Sequence, residues 1–203
     1  MALNTDLVSR VRSNINEPST VSTPLRTDAE ILQWLQDAQL DYVHRVPKEH
    51  FPELITSVTF SGSQVSIPAD YQFFFSCTVS HTLSGTYTEV EDCFVILPGD
   101  SYLVNHYPTV LGAWAQVTGS ALKCGPNVFS GTFSYIKRPA SVSTGSVTFS
   151  LGEEHEAAVV AYASAQALYK TNDADADTWV ANYGALVEAK GGEKPESKEI
   201  ERA

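Results

Sequence analysis

Apolar positions recur at helical spacing near both ends of this chain and at strand spacing in its middle. Asn4 or Thr5 can cap a first helix, with Leu7, Val8, Val11 and Ile15 as its apolar stripe. Glu17-Pro18 ends it, and "STVSTP" makes a polar loop. A second helix follows, with Ile31, Leu35, Ala38, Tyr42 and Val46 on one face and Trp34 and Val43 widening the stripe. Thr27 and Glu30 form a T-x-x-E capping box at its start: the hydroxyl accepts a backbone N–H, and the carboxylate reaches back to the cap's own N–H. Pro47 stops it, having no N–H to donate. "KEHFPEL" leaves room for no more than a turn or two of helix.

From Ile55 the period falls to two. "ITSVTFSGSQVSIP" predicts a hairpin-like pair around Ser61-Gly62. "YQFFFSCTVSHTL" predicts a strand, with Phe73 and Phe75 on one face and Phe74 on the other, and Ser84-Gly85 as the next turn. "CFVILPGDSYLVNHYP" reads as a strand end at Phe94 to Leu97, then a short helix from near Asp100 to Pro108. "AWAQVTG", "ALKCGP" and "GTFSYIKRP" predict three short strands. Helical spacing returns at Leu151, with Ala158, Ala161, Tyr162, Ala165, Leu168 and Tyr169 on one side. Its first turn holds Glu153, Glu154 and Glu156, which suits the positive end of a helix dipole. The last helix carries Trp179, Val180, Tyr183, Leu186 and Val187, and Gly191-Gly192 closes it.

These elements predict an α+β fold: a four-helix bundle built from residues 1–54 and 141–190, with an antiparallel β domain inserted over 55–140 and the chain termini meeting at the bundle. Residues 191–203 form a flexible tail. They are mostly charged, with Ile200 as the single sizeable apolar side chain, too little to offset the entropy of ordering unless a partner binds.

Composition narrows the function. The chain has 203 residues and a net charge of −11, from 24 acidic against 13 basic residues. That balance opposes sequence-specific nucleic-acid binding, which draws its affinity from Lys and Arg on phosphates. A negative wall does suit a passage through which DNA slides without sticking. No apolar run of about 18 residues predicts a membrane span, and the N-terminus has no signal-peptide core. Cys77, Cys93 and Cys124 are odd in number and widely spaced, which predicts free and mostly buried thiols. No zinc site, other metal site or cofactor is expected from their spacing.

Catalytic signatures are missing. His155 is followed at the fourth position by Val159, so no H-E-x-x-H motif exists, and His155 is expected on a helix surface. No phosphate-binding glycine loop or G-x-S-x-G elbow occurs. "DADAD" over 173–177 lacks the glycine and glutamate of a calcium loop and reads as a turn. Tyr71, Phe73, Phe74, Phe75 and Tyr87 read as strand core, although stacking on a ligand is the functional alternative. The chain is therefore not expected to be an enzyme.

Three segments in order resemble the head–tail adaptor, or neck, proteins of tailed bacteriophages. They are "DLVSRVRSNINEPSTVSTPLRTDAEILQWLQDAQLDYVHRVP", "SVTFSGSQVSIPADYQFFFSCTV", and the run from "GTFSYIKRPASV" through "FSLGEEHEAAVVAYASAQALYKTNDADADTWVANYGALVEA". The resemblance spans about residues 6–190 and departs between about 84 and 128. It implies a structural virion protein made in the bacterial cytoplasm and placed in the neck. There a homo-oligomeric ring, usually of twelve copies, lies under the portal protein, extends the DNA channel and receives the tail or nozzle protein. DNA would pass without sequence-specific binding, and no membrane is involved. Trp34, Trp179 and Tyr183 are the candidate interface anchors, since Trp and Tyr favour such places. Ile200 is the candidate anchor of a tail that reaches the portal. Two alternatives remain: a tail-completion or tail-tube component, and a monomeric β-sandwich module that binds a sugar or peptide.

Overall fold

The computed structural model describes residues 4–17, 24–83, 87–96, 112–142 and 148–193. The expected helix near 100–108, the Ser84-Gly85 turn and the 194–203 end of the tail lie outside them. The fold is α+β. It divides into two compact units: residues up to Leu54 together with those from Pro139 onward, and Ile55–Arg138 between them.

The first unit is helical, with α1 (Asn4–Asn14), α2 (Asp28–Arg45), α3 (Glu153–Tyr169) and α4 (Ala176–Glu188). Two 3₁₀ turns, Lys48–His50 and Pro52–Leu54, follow α2. The α2 start has the predicted box. Thr27 is extended, the Glu30 N–H donates to its hydroxyl at 3.3 Å, and the Thr27 N–H donates to the Glu30 carboxylate at 2.8 Å. The helix stops at Val46, which is extended ahead of Pro47 as the proline ring requires. In α3, all residues from Ala158 to Leu168 are buried. Its alanines Ala158, Ala161, Ala163, Ala165 and Ala167 let neighbouring helices approach closely. Each of the other three helices packs on α3, and α1 also touches α2. The contacts thus describe a central helix with three neighbours, and the expected regular four-helix bundle is not shown.

Among its described residues the second unit holds eight strands: β1 (Ile55–Ser61), β2 (Gln64–Ser66), β3 (Tyr71–Leu83), β4 (Tyr87–Asp92), β5 (Phe94–Val95), β6 (Trp114–Thr118), β7 (Ala121–Gly125) and β8 (Val128–Lys137). They form two four-stranded sheets, ordered β1-β8-β3-β4 and β2-β7-β6-β5. Every ladder is antiparallel except that of the two-residue β5, which lies parallel to β6. The predicted β1–β2 hairpin does not form. Gly62, at φ +85°, turns the chain from one sheet into the other, so β1 pairs with β8 and β2 with β7. Inward residues of both sheets make the core, among them Cys77, Val79, Ala115, Leu122, Cys124, Phe133 and Tyr135. Register shifts in β3 around Phe73 and between Phe74 and Ser76 interrupt the simple alternation expected for Phe73 to Phe75, and all three rings are half-buried. Tyr71 and Phe74 pack on Phe133 with ring centroids 5.9 and 5.8 Å away, so these two belong to the core.

Candidate functional site

The four candidate interface residues have different fates. Trp34 on α2 and Trp179 on α4 are half-buried and keep surface to offer. Tyr183 does not: it is 0% exposed within its own unit, so the chain itself covers this ring. Ile200 lies outside the described residues.

Trp179 borders an open groove of about 380 Å³ between α1, α3 and α4, together with Arg10, Asn14, Ala157, Val160 and Leu186. Arg10 donates to the Glu156 carboxylate at 2.9 Å, and Asn14 donates to the Ser164 hydroxyl at 3.0 Å. The groove thus has an apolar wall with one aromatic ring and a fixed cation at its rim. That is the composition of a protein-binding surface, where a Trp anchor is surrounded by polar groups.

Several deep polar groups beneath the helices are paired across segments. The Tyr183 hydroxyl donates to Asp41 at 2.6 Å, and Arg45 donates to the same carboxylate oxygen at 2.8 Å. Burial, then the nearby Asp41 charge, pushes the Tyr183 hydroxyl well above its ordinary range, and the same two causes raise Tyr162 to about 12. His155, expected on the surface, is 0% exposed. The Phe51 and Tyr42 rings lie over it with centroids 5.1 and 5.4 Å away, and both come from distant parts of the sequence. Its Nε2 is 3.0 Å from the His50 carbonyl and its Nδ1 is 3.3 Å from the Tyr42 hydroxyl. Both contacts are satisfied by a neutral ring that donates from Nε2. Burial lowers the His155 pKa despite the opposing His50 carbonyl and the Glu154 and Glu53 charges.

Arg26 closes the other end of α3. Its Nε donates to the Ala167 carbonyl at 2.8 Å, and its two terminal nitrogens reach Glu17 at 3.2 Å and the Thr171 hydroxyl at 2.6 Å. A cation is thereby set at the negative end of a helix that has no basic residue in its own last turn. Burial alone would raise the Glu17 carboxyl, but hydrogen bonds from the Arg26 backbone and guanidinium hold it below its ordinary value.

In the β unit the structure gathers three residues that the sequence keeps apart. The Sγ atoms of Cys77, Cys93 and Cys124 all lie within 4.8 Å of one another. Cys77 and Cys124 are buried, with their sulfurs 3.8 Å apart, while Cys93 is half-buried. The Cys93 N–H donates to the Cys77 carbonyl at 2.8 Å, which fixes the link after β4 against β3. S–H donation from Cys124 and then Cys93 holds the Cys77 thiol well below its ordinary value. Cys93 and Cys124 are raised in turn, Cys93 chiefly by its hydrogen bond with Cys124 and Cys124 by its hydrogen bond with Cys77. No short-spaced motif announces the trio, because strand pairing across two sheets brings it together.

No described helix is long and apolar enough to cross a membrane. A model of the SU10 adaptor protein family matches residues 5–198. No curated protein matches the chain.

Proposed function

Because the chain belongs to the SU10 adaptor protein family, and so to the structural head–tail adaptors of tailed bacteriophages, we propose that it forms a ring below the portal, of twelve copies, that extends the DNA channel and presents a docking surface to the tail. The family match over nearly the whole chain carries this reading. Three features support it. A ring of identical copies needs two different faces on each subunit, which meet heterologously and close. The open groove beside Trp179, with Trp34 on a separate helix, supplies surface of the right chemistry for such a contact. The net charge of −11 disfavours adhesion of passing DNA to the wall.

The charged C-terminal segment is assigned to the portal, with Ile200 as its one apolar anchor. Changing Ile200→Asp then lowers capture by the portal protein in a pull-down while leaving the circular-dichroism spectrum unchanged. Equal capture removes the tail from the contact.

The deciding experiment is quantitative mass spectrometry of purified virions carrying this chain. A one-to-one ratio to the portal protein is the expected result. A large excess over the portal would move the chain into the tail tube, and absence from the virion would overturn the adaptor reading.

A further inference from the structure

Of the features that the adaptor reading leaves unused, the thiol cluster of the β unit carries the most chemistry. Cys77 enters from β3 in one sheet, Cys124 from β7 in the other, and Cys93 from the link between β4 and β5. A zinc ion sits ~2.3 Å from each thiolate, and tetrahedral angles at the metal then set the sulfurs ~3.8 Å apart. The observed Cys77–Cys124 separation is 3.8 Å, and the third sulfur lies within 4.8 Å of both. A disulfide would bring two sulfurs to ~2.05 Å, so no pair here is bonded. Among the described residues no other trio of His, Cys, Asp and Glu side chains gathers this closely.

We propose that Cys77, Cys93 and Cys124 form a trithiolate site for a soft d¹⁰ cation, zinc(II), with water in the fourth position on the half-exposed Cys93 side. Thiolate sulfur selects such ions over hard cations. Loading exchanges protons for metal: each thiol still protonated gives its proton to solvent as its sulfur–zinc bond forms. Zinc with three thiolates carries one net negative charge. The ion would tie β3, β7 and the β4–β5 link together, and its binding energy would add directly to the stability of the unit.

The test uses the full-length chain, reduced and stripped of metal with a chelator. Cobalt(II) is titrated first as a spectroscopic probe, then displaced by zinc(II). Expected are saturation at one ion per chain, a thiolate-to-cobalt charge-transfer band in the near ultraviolet, and proton release on binding. Cys93→Ser, at the least buried of the three positions, is expected to keep the circular-dichroism spectrum. It is also expected to lose at least ~10–100-fold in affinity, the loss that even an outer partner of a metal ligand produces. Cys124→Ser is the second variant and should also abolish the band. The proposal is overturned by the absence of the band, by equal affinity in a folded Cys93→Ser, or by an intact mass of the chain before reduction that is two hydrogens light, which would mark a disulfide between two of the three cysteines in place of the site.

Discussion

The two units fill their interiors with different groups. In the helical unit, Tyr183, His155 and Arg26 are deep, and each reaches a partner on another segment: Asp41, the His50 carbonyl, and the end of α3. In the β unit the comparable depth is filled by the sulfurs of Cys77 and Cys124 and by the stacked rings of Phe133 and Tyr135, whose centroids are 5.3 Å apart. Directional bonds specify how helices sit around α3, since an alanine-rich surface alone offers few distinctive knobs. The sheets already have register from their ladders and need only close packing between them. Removing one group should therefore cost more in the helical unit, where a lost partner strands another polar group, than in the β unit, where the penalty is steric.

Arg26→Ala gives that contrast its largest reading. It leaves the Glu17 carboxylate, whose side chain is only 9% exposed, without its cation, and it uncovers the α3 carbonyl end. Loss of one member of a buried pair costs about 3–5 kcal/mol. Denaturant unfolding followed by the helical far-ultraviolet signal should show a fall of that order. A fall below about 1 kcal/mol, the scale of exposed pairs, would mean that solvent replaces the clamp. In the β unit the matching variant is Gly131→Ala. An added Cβ would stand 2.6 Å from the Phe60 ring and 2.8 Å from the Thr78 carbonyl oxygen, which is backbone and cannot swing aside. Overpacking of this kind costs about 1–3 kcal/mol, measured as a lowered melting temperature. An unchanged melting temperature would show that β3 and β8 separate easily at this point.

Local patterns were legible in the sequence and remote partners were not. The Thr27–Glu30 box and the Pro47 stop involve neighbours within a turn, and both appear as read. The Ser61-Gly62 signal was genuine, but a tight turn serves equally for a hairpin and for a crossing between sheets. Only the pairing of β1 with β8 decides between them. His155 reads as a surface residue because Val159 leaves it without a motif partner and a lone histidine says little, whereas its cover comes from Phe51 and Tyr42. The α4 stripe identified Tyr183 as an inward residue without saying whose surface would cover it. The cysteine cluster was the least legible feature, since Cys77 and Cys124 lie on strands of two different sheets and Cys93 on the link between β4 and β5.

His155 supplies a smaller, pH-dependent difference within the helical unit. Its folded pKa is depressed by burial, against an ordinary value of 6.5, so the unfolded chain binds the proton more readily. Stability is therefore full above the unfolded pKa and declines as pH falls from there toward the lower folded value. His155→Gln, which can still donate to the His50 carbonyl but cannot take up a proton, should flatten that decline. If the slope below about pH 6.5 persists in the variant, another group carries it.

The smallest expected effect is at Thr27. Thr27→Ala removes the hydroxyl that accepts the Glu30 N–H and donates to the Glu30 carboxylate at 3.0 Å, but it keeps the residue's own N–H on that carboxylate. Loss of an N-cap hydroxyl costs about 1 kcal/mol at neutral pH. The carboxylate is also held by Lys170 from the end of α3, and the Lys170 and Thr27 hydrogen bonds together lower the Glu30 pKa from 4.5 to about 2. A depressed acid contributes stability above its unfolded pKa, and that contribution drains away as pH falls through the folded one. The difference between wild type and Thr27→Ala should therefore be constant at neutral pH and shrink between pH 4.5 and about 2, as the carboxylate that both share is titrated. A difference that stays constant down to the lowest pH would assign the whole effect to the N–H accepted by the hydroxyl, and would leave Lys170 and the Thr27 N–H to hold Glu30 ionised.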